Sequence, residues 1–190
     1  MEHHLTNMQL RIIDNLFSEK NKELTSLTGN LQINDVKEDQ PFLVNTRNIK
    51  NQVLLTPVTF EEPKISTHYQ ETRQVPANYQ QMWGGSQNVY VVTVDFPFEG
   101  SEELFQYMPS GVGLTMGRFY QPSGNRVSVQ VTVTALDKNA VITEAKNKMS
   151  ATFELINANN TQAKQWTASK EPMIDTLMAQ KRKELNDFYS

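Results

Sequence analysis

The sequence predicts an α+β fold: an N-terminal helix, a small antiparallel β-sheet and long C-terminal helices. Three observations carry that expectation. Between Arg126 and Ala135, Val127, Val129, Val131 and Val133 alternate with Ser128, Gln130, Thr132 and Thr134, the period of two expected of a strand with one buried and one wet face. From Asn139 to Trp166, Ile142, Ala145, Met149, Phe153, Ile156, Ala163 and Trp166 fall on one stripe at helical spacing. Met8, Ile12, Ile13, Leu16 and Phe17 repeat that spacing near the N-terminus.

The first helix has a full set of start signals. Thr6 as N-cap and Gln9 three residues later form a capping box, and Leu5 with Leu10 the hydrophobic staple. Leu24 extends the stripe, and Thr28-Gly29-Asn30 supplies a stop through a left-handed glycine. From Leu31 to Asn88, Gln40-Pro41, Thr56-Pro57, Glu62-Pro63 and Val75-Pro76 predict short extended pieces, because a residue preceding proline is pushed away from the α region. Residues 51–60 predict a strand confined to an edge by Pro57. Tyr69, Tyr79, Met82 and Trp83 read as a loop pinned to the core by its aromatic rings, with a binding surface as the alternative.

The β module follows. Asn88–Phe96 predicts a strand ended by Pro97, Leu114–Tyr120 a further strand, and Pro122-Ser123-Gly124-Asn125 the turn into the valine strand. Asn157–Thr161 leaves two options, one continuous helix over 139–166 or two shorter ones, with Asn160 on the apolar stripe in the first case. A further helix is expected from Ser169, with Glu171 and Pro172 in its first turn and Met173, Ile174, Leu177, Met178, Leu185 and Phe188 on its apolar face. The organisation expected is thus an N-terminal helix over 1–30, extended segments and a β module over 31–137, and a helical region over 138–190.

The stretch Phe96-Pro97-Phe98-Glu99-Gly100-Ser101-Glu102-Glu103-Leu104-Phe105, continuing to Pro109-Ser110, resembles a recurring motif of uncharacterised bacterial proteins. There a strand leads into (I/F)-P-F-x-G-(D/S)-x-x-L-F, a Pro-Ser loop, a second strand and long helices. Ser101 stands where aspartate is the expected residue. The resemblance covers about Val89 to Tyr189 and implies a small β module with a helical tail, in some members the N-terminal half of a longer polypeptide. It implies no activity.

Composition narrows the chemistry. With 190 residues the chain is long enough to bury ~70% of its unfolded surface without a staple. It contains no cysteine, which excludes thiolate metal sites, cysteine nucleophiles and disulfides. The N-terminus has no basic and apolar leader pattern, and no run of eighteen apolar residues occurs, so the expectation is a cytoplasmic protein with no membrane span. His3 and His4 carry no functional weight. His68 lacks a G-x-S-x-G elbow, and Gly111, Gly113 and Gly117 lack the lysine of a phosphate loop. No cofactor is expected. Asp137 with Glu144-Ala145-Lys146 matches a nuclease spelling, but a helix points that Glu and Lys apart. Asp95, Glu99, Glu102 and Glu103 form an acidic run in which a metal-dependent hydrolase is the third reading.

The leading reading is a non-enzymatic protein-interaction or assembly module, homo-oligomeric or bound to a protein partner. Met149, Phe153, Ile156, Asn160, Trp166, Met173, Leu177 and Met178 are its expected contact residues. The runner-up is nucleic-acid association through Arg118 and Arg126, the lysines up to 150, and Lys181, Arg182 and Lys183. The net charge of −3 ranks it second. Seventeen asparagines and fifteen glutamines make the surface polar but weakly charged, which suits protein contacts better than electrostatic steering.

Overall fold

The computed structural model describes residues 4–6, 10–75, 85–111 and 118–190. The chain divides into two compact units: Met1–Leu10, Val58–Gln106 and Gly113–Ile156 form one, and Arg11–Pro57, Tyr107–Val112 and Asn157–Ser190 the other.

The first unit is built on a four-stranded sheet. Its centre is β5 (Gly85–Glu99), which pairs antiparallel with β4 (Lys64–Val75), β8 (Arg126–Val133) and, at its C-terminal end, β3 (Thr59–Phe60). The valine alternation sets the register. Val127, Val129 and Val131 stand opposite Phe96, Val94 and Val92, and all six are buried. The N-terminal part of α4 (Lys138–Tyr189) contributes Val141, Ala145, Met149, Thr152 and Ile156, each buried and three or four residues from the last. Phe153 on that helix stands edge-on to Phe60 and Phe96, at 5.0 and 5.8 Å between ring centroids. A separate two-stranded sheet pairs β1 (His4–Thr6) with β7 (Arg118–Tyr120).

The motif around Phe96 is structural. Pro97 does not end the strand, as expected from sequence, but sits inside β5. Its carbonyl accepts from the Glu61 amide at 2.8 Å, and the Phe98 amide donates the other way, to Asn125 O at 3.0 Å. The missing N–H therefore falls on a side where β4 has not yet begun, and the ladder tolerates it. Gly100 adopts φ of +114°, which only glycine takes readily, and leads into the 3₁₀ turn Glu102–Gln106. That turn buries Leu104 and Phe105, and Phe105 lies 4.9 Å from Phe98 and 6.0 Å from Phe60. At the other expected turn, Gly124 takes φ of +62° and the Ser123 amide donates to Arg126 O.

The second unit is helical. It contains α1 (Ile13–Gly29), the single-turn α2 (Ile33–Val36), α3 (Asp39–Val53) and the C-terminal part of α4, with β2 (Arg11–Ile12) paired parallel to β6 (Tyr107–Met108). Its core gathers Leu24, Val36, Ile49, Val53, Ile174 and Met178, flanked by Phe42, Trp166, Leu177 and Leu185. Trp166 stacks on Phe17 at 5.3 Å with rings nearly parallel. Lys50 bridges Asp175 and Glu171. The hydrogen bond to Asp175 foremost, with Glu171 in the same sense, holds its ammonium above the ordinary lysine value against the opposing effect of burial.

Several sequence expectations are corrected. The first helix begins at Ile13, not after Thr6: Thr6 lies in β1, Gln9 lies outside the described residues, and the N-cap Ile12 has no side-chain cap. Pairing of β2 with β6 fixes residues 11–12 as extended and so sets the start. The helix ends at the expected place, but at Asn30 in a right-handed conformation rather than through a left-handed glycine. Most of 31–53 is helical instead of extended. Pro41 lies in the first turn of α3, where an N–H has no intrahelical acceptor in any case, and it breaks nothing. Residues 51–60 are correspondingly the end of α3, a connection and only the two-residue β3. The strand expected over Leu114–Tyr120 is seen as Arg118–Tyr120, and 112–117 lie outside the described residues. The helix runs unbroken through both Asn157–Thr161 and Ser169, with Pro172 inside it. Of the stripe's two adjacent asparagines the buried one is Asn159, whose amide donates to Tyr107 O at 2.7 Å.

Candidate functional site

Strand β4 is accessible along its described length. Every described side chain from Lys64 to Gln74 is exposed except half-buried Glu71. Sequence explains why it forms a strand: Ile65, Thr67, Tyr69 and Thr72 favour pleated backbone. Pairing with β5 continues from Lys64 opposite Asp95 to Val75 opposite Gly85, with one irregularity between Ile65 and Thr67. Beyond Tyr90, where β8 pairing begins, Glu71–Val75 and Gly85–Val89 form a two-stranded arm. Among the described residues, no strand pairs with the outer edge of β4. Tyr69 is 52% exposed on this strand and is not a core anchor, contrary to the sequence reading. Tyr79, Met82 and Trp83 lie outside the described residues.

The charged side chains of the arm are Glu71 and Arg73, an ion pair two residues apart on one face of the strand. Thr72 Oγ1 donates to Asn88 Oδ1 across the ladder at 2.9 Å. Among the described residues, no group of three or more His, Asp or Glu side chains that could hold a metal accompanies them.

The expected contact residues are placed mainly inside the chain's own packing. Met149, Ile156 and Met178 are buried, Phe153 lies among Phe60 and Phe96, Trp166 stacks on Phe17, and Leu177 flanks the helical core. Asn160 is half-buried. Met173, at 45% exposure, is the exception. One stripe of α4 is thus already covered by this chain.

The basic residues are similarly engaged. Arg126 pairs with Asp95 at 3.7 Å, Lys148 donates to Gln130 O at 2.6 Å, and Arg182 holds Asp39 at 2.8 Å and lies over the Phe42 ring. Lys183 is exposed and Lys181 half-buried beside a shallow groove with Thr25 and Thr28, while the side chain of Arg118 lies outside the described residues.

The acidic run does not converge. Asp95 accepts from Ser128 at 2.6 Å, and Glu99, four residues further along the same strand, is ~13 Å away at strand rise. Glu102 and Glu103 occupy the first turn of the 3₁₀ segment. Among the described residues, no group of three or more His, Asp or Glu side chains could hold a metal ion. Asp137 instead caps α4, its Oδ1 accepting from the amides of Asn139 and Ala140. A small apolar pocket of about 200 Å³ beside it is lined by Ile65, His68, Val92, Leu136 and Val141, below the ~300–1,000 Å³ of most ligand sites.

In the helical unit a polar cluster surrounds Tyr107. Its hydroxyl lies between Arg11 at 3.2 Å and Glu19 at 3.1 Å, and Arg11 and Glu19 pair directly. The hydrogen bond from Arg11 holds the Glu19 carboxyl below its ordinary value, with Tyr107 acting in the same sense against burial. Nearby, Gln162 grips both the amide and the carbonyl of Ser110, whose hydroxyl donates to Asp14 at 2.6 Å. These groups fix the Pro-Ser segment to α1 and α4 within that unit.

No protein-family model, no curated protein and no solved structure matches this chain. Among the described residues, no helix is long and apolar enough to cross a membrane.

Proposed function

We propose that this chain is a non-enzymatic protein-interaction or assembly module of cytoplasmic setting, acting through backbone pairing along β4 rather than through the apolar stripe of α4. The observation that carries the reading is a twelve-residue strand, exposed on both faces, with an outer edge unpaired among the described residues. Open edges are templates for a further strand, and proteins that do not use them commonly blunt them with proline, inward charge or very short length. Lys64–Val75 is neither short nor interrupted by proline. Nucleic-acid association stays second, because Arg126 is already ion-paired and Arg182 and Lys148 already donate within the chain.

Light scattering coupled to size exclusion across a concentration series tests the reading. A mass that rises toward twice 21.7 kDa supports assembly. A mass fixed at the monomer removes self-assembly.

A further inference from the structure

This inference rests on the assembly reading and names the partner. In an antiparallel ladder, the N–H and C=O of successive residues point to opposite sides of the strand. On β5, Thr93 O accepts the Ser66 hydroxyl at 3.3 Å and Pro97 O accepts the Glu61 amide, so odd-numbered residues aim toward the β3 and β4 side. The Phe98 amide donates to Asn125 O, so even-numbered residues aim toward β8. Thr67, Tyr69, Glu71 and Arg73 stand opposite Thr93, Val91, Val89 and Gln87. Their backbone groups are therefore turned to β5. His68, Gln70, Thr72 and Gln74 turn theirs outward, at the open edge.

We propose that β4 pairs antiparallel with β4 of a second copy of this chain, about a two-fold axis at Thr72. Two identical edges can exchange backbone hydrogen bonds only between even-numbered residues, which limits the registers to steps of two in position. With Thr72 opposite Thr72, Gln70 faces Gln74 and each Glu71 faces Arg73 of the other copy. The charged pairs fall at non-hydrogen-bonded positions, where Cα atoms approach to ~4.5 Å and side chains meet most closely. The neighbouring registers of either hand place Glu71 against Glu71 or Arg73 against Arg73, and in-register parallel pairing does both. Charge complementarity thus favours this register over its two neighbours and over in-register parallel pairing. Among the described residues, both faces around Thr72, Arg73 and Gln74 are exposed and no strand covers this edge.

The test is the solution mass of wild-type chain and three variants, each verified as folded by far-ultraviolet circular dichroism. R73E puts glutamate against glutamate in both cross pairs and is expected to weaken the dimer about tenfold or more. E71R/R73E restores opposite charges and is expected to recover wild-type association. T72P removes an N–H at an outward position, leaving the β4–β5 ladder intact, and is expected to yield monomer. A wild-type dimer indifferent to R73E and T72P overturns the β4 pairing while the assembly reading stands. A swap variant as weak as R73E overturns the register. A wild-type chain that stays monomeric at every concentration overturns both the pairing and self-assembly.

Discussion

Replacing Phe105 with alanine is expected to destabilise the β unit by about 4 kcal/mol. Phe105 is fully buried, and its ring lies 4.9 Å from Phe98 at 48° and 6.0 Å from Phe60 at 89°. Burial of such a side chain contributes about 1.5–3 kcal/mol. Each aromatic contact adds ~0.5–1.5 kcal/mol, and the cavity left behind raises the cost further, within the ~3–5 kcal/mol typical of buried Phe→Ala changes. If the whole chain unfolds together, that corresponds to a fall of about 8–16 °C in midpoint, and to roughly twice that if the β unit unfolds alone. Calorimetry with urea unfolding followed by circular dichroism measures it, and two units allow two transitions, of which one should move. Phe105→Leu keeps most of the volume and should cost roughly half as much. An alanine variant within ~0.5 kcal/mol of wild type would refute the packing described for the motif.

Glu19→Gln tests the Tyr107 cluster through pH. The folded-state carboxyl is held below its ordinary value, so its stabilising effect is complete above the unfolded-state value and disappears as pH falls through the folded one. The wild-type midpoint should therefore drop more steeply on acidification than that of the variant; parallel curves would contradict the assignment. Asn159→Leu removes the buried amide that donates to Tyr107 O at 2.7 Å and should cost ~1–3 kcal/mol in urea unfolding. An unchanged urea midpoint would mean that this bond stabilises nothing.

The parts of the fold legible from sequence are those in which one face alone decides the structure. The valine alternation identified β8 with its buried face, and spacing of three and four identified α4. Expectation failed where a local signal met a tertiary contact. Thr6 and Gln9 spell a capping box, yet Thr6 pairs with Arg118 in a strand. Proline is ambiguous by nature: Pro41 and Pro172 occupy helices, and Pro97 a central strand, because in each case the lost N–H is harmless or outweighed. The apolar residues of α4 suit contact with another molecule equally well, because an apolar stripe cannot reveal whether its cover comes from the same chain. Strand β4 is legible only as one of the short extended pieces, the one between Pro63 and Pro76, while its Tyr69 reads as part of a loop. It shows no apolar alternation, because neither of its faces is buried, and it is held as a strand by its ladder with β5. Ile65, Thr67, Tyr69 and Thr72 were the available signal, through β propensity alone.

Amide hydrogen exchange along β4, measured at low and high protein concentration, tests the central claim most directly. The Glu71 and Arg73 amides should be protected at both concentrations by their pairing with β5. The Gln70, Thr72 and Gln74 amides should exchange freely in dilute solution and slow as concentration rises. Outer-edge amides whose exchange is the same at every concentration would contradict pairing of this strand with a second copy.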